Sequence, residues 1–188
     1  MNPSTSGSAM DDGIKDRTSV GFTTNTFPLQ QLDGAEDDPF LKPFAKVTRL
    51  WQRSDGYLPL KSDISFQDFG GWHDRMIISD LRADGNIRFR LVGTTAEAIF
   101  GNLIKAGGSF ADLPNTLFPH YASYFARIAG GDMFGECIGL VPFEGREFLP
   151  LRVLDLPVLE TPTDGANGGV RDGAVRPTLL YSFFRSTK

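Results

Sequence analysis

The residues of this chain best suited to chemistry are His73, His120 and Cys137, and their spacing assembles no reactive set. A catalytic nucleophile needs a base held beside it. Neither histidine has a local partner for that work, and no Gly-x-Ser-x-Gly elbow occurs. Cys137 is the single cysteine, so it has no internal disulfide partner, and no paired Cys/His spacing for zinc is present. It falls in a predicted strand, where a free cysteine behaves as a small buried hydrophobe. The glycine-rich GANGGVRDG lacks the Lys-Ser/Thr of a phosphate loop and the spaced acids and closing Glu of a calcium loop. His120, at the start of an aromatic helical stretch, is the one candidate for an axial haem ligand, against a default surface or capping role. No metal site and no enzyme are expected.

Charge points the same way. Of the 188 residues, 19 are Lys or Arg and 23 are Asp or Glu, giving a formal charge of -4. The interspersed signs offer no basic field to neutralise a run of phosphates, so nucleic acid is not an expected partner. One local concentration stands out. Lys42, Lys46, Arg49 and Arg53 recur at helical spacing opposite an apolar stripe of Phe40, Phe44, Val47 and Trp51. They read either as a solvated face or as a candidate docking stripe for an anionic partner. The polar first thirty residues contain neither a signal peptide nor a membrane span, and with the lone cysteine they predict a cytoplasmic protein with no membrane partner.

The elements that must position these residues follow from periodicity. Residues 1–36 are polar, lack a sustained period and predict a flexible arm, with Phe22, Phe27 and Leu29 available for docking. Residues 37–56 predict a helix capped by Asp38, whose regular part can begin at Pro43. Met76–Arg82 and the alternating Ile87, Phe89 and Leu91 predict a hairpin joined at Gly85. The chain then turns at Gly93 into a helix ending at Gly101. Leu117, Phe118, Tyr121, Tyr124, Phe125 and Ile128 mark one apolar face of a longer helix closed by Gly130-Gly131. Strands are expected over Met133–Val141, Arg146–Leu156 and Thr178–Arg185. Pro150 and Pro157 make a central place for the second of these doubtful, and a glycine-rich loop near 160–176 precedes the last.

This order describes an α+β domain of five strands with helices gathered on one face. Together with GYLPLKSDISFQDF, MIISDLRADGNIRFRLVGTTAEAIFG and GGSFADL, it resembles the PAS fold. More narrowly it resembles a family of small bacterial single-domain PAS-like proteins. The matching motifs are Leu50-Trp51, Leu58-Pro59, the run Arg90-Leu91-Val92-Gly93-Thr94, and Phe100-Gly101. The resemblance covers Asp38 to Ser186, and the amino-terminal arm and the glycine-rich insertion depart from it.

The resemblance implies an antiparallel sheet in order 2-1-5-4-3 within a PAS-like domain over 57–188, with an extra amino-terminal helix. It implies a cavity between sheet and helical cover, and a sensory or regulatory role in signal transduction, commonly as a homodimer or with a signalling partner. The Asn-Cys-Arg-Phe run of flavin photosensors of this fold is absent, so no cofactor is expected beyond the haem option at His120. Phe89, Leu91, Phe118, Tyr121, Phe125 and Cys137 are the candidate cavity residues for a small apolar ligand, with plain core filling as the competing reading. A ligand-free dimerisation or docking module using Lys42, Lys46, Arg49 and Arg53 is the alternative function.

Overall fold

Strands whose apolar residues fall on both sides need cover on both sides, and that requirement shapes this chain. The computed structural model describes residues 22–53, 58–113, 120–141, 149–160 and 176–186. Its centre is one antiparallel sheet of six strands: β1 (Phe22–Pro28), β2 (Met76–Leu81), β3 (Ile87–Val92), β4 (Met133–Leu140), β5 (Pro150–Val158) and β6 (Leu179–Ser186). Their order across the sheet is β1-β4-β5-β6-β2-β3. Three short helices accompany them: α1 (Ala45–Gln52), α2 (Thr94–Phe100) and α3 (Tyr121–Ile128).

The sixth strand corrects the expectation of five. It comes from the segment assigned to a flexible arm, where Phe22 to Pro28 pair with Gly139 to Met133 along β4. The threonines of FTTNTFP are β-branched and suit a half-buried edge strand, where a full apolar alternation is not needed. Residues 29–34 continue as a 3-10 turn that buries Leu29 and Leu32. The glycine-rich loop expected near 160–176 lies almost wholly outside the described residues, as does Phe118.

Parity along the central strands assigns the two faces. Leu154, Leu156, Val158, Leu179, Tyr181 and Phe183 point to the first face and meet Phe44, Val47, Trp51 and Phe69. Leu151, Val153, Leu180 and Phe184 point to the second face, where Ala96, Phe100, Phe125 and Ile128 cover them. Helical cover therefore lies on both faces, which corrects the one-face expectation. The amino-terminal helix docks on the face away from α2 and α3. Pro43 sits in a 3-10 turn before α1, so the regular helix starts only at Ala45, while Asp38 caps the segment by accepting from the backbone N–H groups of Phe40 and Leu41.

β5 occupies the middle of the sheet despite Pro150 and Pro157. Its pairing with β4 runs from Pro150 to Asp155 and stops there, so Pro157 has only β6 beside it and its missing N–H breaks no ladder on the β4 side. The Pro157 carbonyl accepts from Trp51 Nε1 at 2.7 Å, and the Trp51 ring meets Tyr181 and Phe183 edge-on. The hairpin between β2 and β3 turns at Gly85 with φ 81°, and a Cβ there would lie 1.9 Å from the Ala122 carbonyl oxygen of α3. Only glycine satisfies both demands.

Trp51 thus ties α1 to β5 by packing and by a buried hydrogen bond. Trp51→Phe leaves the Pro157 carbonyl without its donor and a gap beside β6. We expect a loss of about 2–3 kcal/mol of unfolding free energy, read as a lower urea midpoint with an unchanged slope.

Candidate ligand cavity

The second face does not close completely. Between the sheet and its helical cover lies a cavity of about 70 Å³. The sheet contributes Phe22 and Thr24 from β1, Cys137 from β4, Val153 and Asp155 from β5, Ser182 and Phe184 from β6, Ile77 and Ser79 from β2, and Ile87 and Phe89 from β3. The cover contributes Phe100 from α2, Ile104, Phe110, and Tyr121 and Tyr124 from α3. Mostly apolar and aromatic walls with a few convergent polar atoms are the usual composition of a small-molecule site.

Those polar atoms form an ordered set. Asp155 is buried on the central strand, and its Oδ2 accepts from the Tyr124 hydroxyl at 2.7 Å while its Oδ1 accepts from the Ser182 hydroxyl. Gly135 makes the first contact feasible: a Cβ there would stand 2.0 Å from the Tyr124 hydroxyl oxygen. Among the described residues no Lys, Arg or His pairs with this carboxylate. Burial pushes Asp155 up to about 6, against the opposing pull of its two hydroxyl donors. Burial and the neighbouring carboxylate also raise the Tyr124 hydroxyl and the Cys137 thiol well above their usual ranges, so both stay neutral. On β2 the Ser79 hydroxyl is fully buried against the cavity and has no hydrogen-bond partner among the described residues. An orphaned buried hydroxyl costs stability unless something meets it.

The residues singled out from sequence divide. Phe89, Tyr121 and Cys137 line the cavity. Phe125 is buried on the same face but packs between Phe110 and Tyr124 without reaching the cavity wall. Leu91 is a correction. The β2–β3 register pairs Ile78 with Leu91 but Ser79 with Phe89, which leaves Arg90 as an extra residue in a β-bulge. One extra residue reverses the alternation, so Leu91 turns to the first face and is 37% exposed, while Val92 packs into the second face. The bulged Arg90 reaches Glu160 through two hydrogen bonds of 2.8 and 3.0 Å and also contacts Asp80. That guanidinium, with Lys61, holds the Glu160 carboxyl down to about 2.

His120 stands just before α3 with φ 66°, exposed, and is not part of the cavity wall. His73 is engaged elsewhere, stacked on Phe66 at 3.7 Å with Nε2 against the Phe66 carbonyl oxygen at 2.6 Å. In the basic stripe Lys42, in the 3-10 turn before α1, Lys46 and Arg49 on α1, and Arg53 at its end are all exposed. Lys46 donates to the Gly70 carbonyl at 2.6 Å, Arg49 pairs with Glu36, and Arg53 donates to the Arg49 carbonyl. Sequence reading missed Thr24, Ser79, Tyr124, Asp155 and Ser182. A signal for three of them was present: Ser79, Asp155 and Ser182 each interrupt a strongly apolar strand.

The buried carboxylate has a measurable signature. Because Asp155 holds its proton more tightly folded than unfolded, its contribution is fully present below pH 3.8 and is lost as pH rises through about 6. Glu136, raised to about 7 by burial and Asp38 against Arg152, adds a fall of its own, so the comparison must be with Asp155→Asn. The stability of that variant relative to the parent should climb by up to about 3 kcal/mol across the Asp155 window, measured by denaturation at stepped pH. A difference that does not vary with pH would contradict a buried, unpaired Asp155.

Comparison of the chain with protein-family models, with curated proteins and with solved structures gives no significant match to any of them.

Proposed function

We propose that this chain is a PAS-like sensory or regulatory module whose signal is a small amphipathic molecule held between the sheet and α2 and α3. The observation that carries this reading is the cavity itself, lined by apolar and aromatic side chains and by a buried Ser79 hydroxyl that has no partner among the described residues. A protein selected only for packing would fill such a gap or pair such a hydroxyl. The strand order supports the family resemblance: β3-β2-β6-β5-β4 is a continuous run within the sheet, with β1 added at its end. Binding, not turnover, is the role that fits, because the cavity's polar atoms are hydrogen-bonded acceptors and neutral hydroxyls without a positioned nucleophile–base pair.

The alternative, a ligand-free docking module built on the basic stripe, has less behind it. Lys46, Arg49 and Arg53 already spend donors inside the chain. The groove they border, with Gln67 and Asp68, carries both signs of charge.

Native mass spectrometry of gently purified full-length protein tests the ligand reading. A bound non-protein mass is expected on the parent and should disappear from Cys137→Phe, whose added ring fills the cavity from β4. The bare chain mass in both proteins, together with no response of cavity residues to a pressurised inert gas, would defeat the proposal.

A further inference from the structure

The polar pole of the cavity selects the class of guest. A carboxylate taken out of water is costly unless a positive charge or a full set of donors meets it. Asp155 has two hydroxyl donors, one on each oxygen, and among the described residues no cation. Each oxygen keeps a further acceptor site. A guest can supply what the chain withholds. We propose that this cavity binds a small primary amine, its ammonium directed at Asp155 and its alkyl body lying among the aromatic side chains.

Three observations bear on this, and they are independent. Aromatic rings from Phe22, Phe89, Phe110, Tyr121 and Phe184 surround the space, and their faces attract a cation as well as an alkyl chain. The Ser79 hydroxyl, unpartnered among the described residues, lines the β2 side and leaves a polar contact open to a guest beyond the carboxylate. The volume of about 70 Å³ is about half the ~150 Å³ of an engineered apolar cavity that holds benzene. In proportion to benzene's six heavy atoms, that size suits an amine of about three heavy atoms. A hard metal ion is excluded by the same surroundings, since it requires six or more oxygen ligands and the walls are chiefly hydrocarbon. An anionic guest would face a like charge at close range.

This inference rests on the ligand-binding role proposed above, and its test separates the two. Isothermal titration of the protein at pH 7.5, above the pKa of about 6 to which burial raises Asp155, compares ethylamine, ethanol and acetate. The amine should bind at least about tenfold more tightly than the isosteric alcohol, the gain of one charge-assisted hydrogen bond, with acetate weakest. Asp155→Asn should bring amine and alcohol to similar affinity while keeping the alcohol's affinity, which shows that the cavity survives the substitution. Should that variant not fold, the ranking on the parent protein decides. Alcohol binding as tightly as amine, or acetate binding best, overturns the amine and leaves the ligand role standing. Failure of all three to bind overturns both.

Discussion

The hydrogen-bonded chain from Tyr124 through Asp155 to Ser182 is the constraint on which the second face depends. It joins α3, β5 and β6 through one buried carboxylate, so the helix cannot slide along the sheet without leaving the Tyr124 hydroxyl and one oxygen of that carboxylate unsatisfied. Such groups cost far more when stranded than they contribute when paired. Gly135 on β4 is fixed by the same contact, since any side chain there would occupy the position of the Tyr124 hydroxyl. With α3 anchored at this polar link, the rings of α2 and α3 leave part of the space over the sheet unfilled.

The first face has the opposite character. Leu154, Leu156, Tyr181 and Phe183 meet Trp51, Phe44 and Phe69 in close aromatic contact, and its described polar contribution is mainly the Trp51 donor to the Pro157 carbonyl. Apolar area removed from water stabilises this side, at about 25 cal/mol per Å², and its half-buried carboxylate, Glu136, has the Arg152 guanidinium in its field. One sheet therefore carries a well-filled core on one side and a polar-centred, incompletely filled one on the other. The stability of the first allows the imperfection of the second.

The strands were legible in the sequence because each is a strongly apolar or alternating run bounded by turns, as Met76–Leu81 and Leu179–Ser186 show. Less legible was anything that depended on pairing. FTTNTFP carries little apolar content, and only the edge of β4 makes it a strand. The bulge at Arg90 inserts one residue without any mark in IRFRLV, so strict alternation sends Leu91 to the wrong face. Asp155 was visible as the lone acid in PLRVLDLPV, yet its meaning required Tyr124 and Ser182, distant in sequence, to arrive beside it. Periodicity records burial and says nothing of which polar atoms meet.

β1 joins these two sides. Phe22 and Thr24 wall the cavity on the second face, while Phe27 of the same strand packs on Phe134 in the first. The chain then passes directly into Leu29 and Leu32, buried beside α1, and the Leu32 carbonyl accepts from the Gln52 side chain. β1 pairs with β4 alone and is only partly buried, which places it among the less strongly held strands of the sheet. Its sequence therefore runs from a wall of the cavity directly to the residues packed beside the helix on the far face. The segment first read as a flexible arm is thus a structural link between the two sides of the sheet.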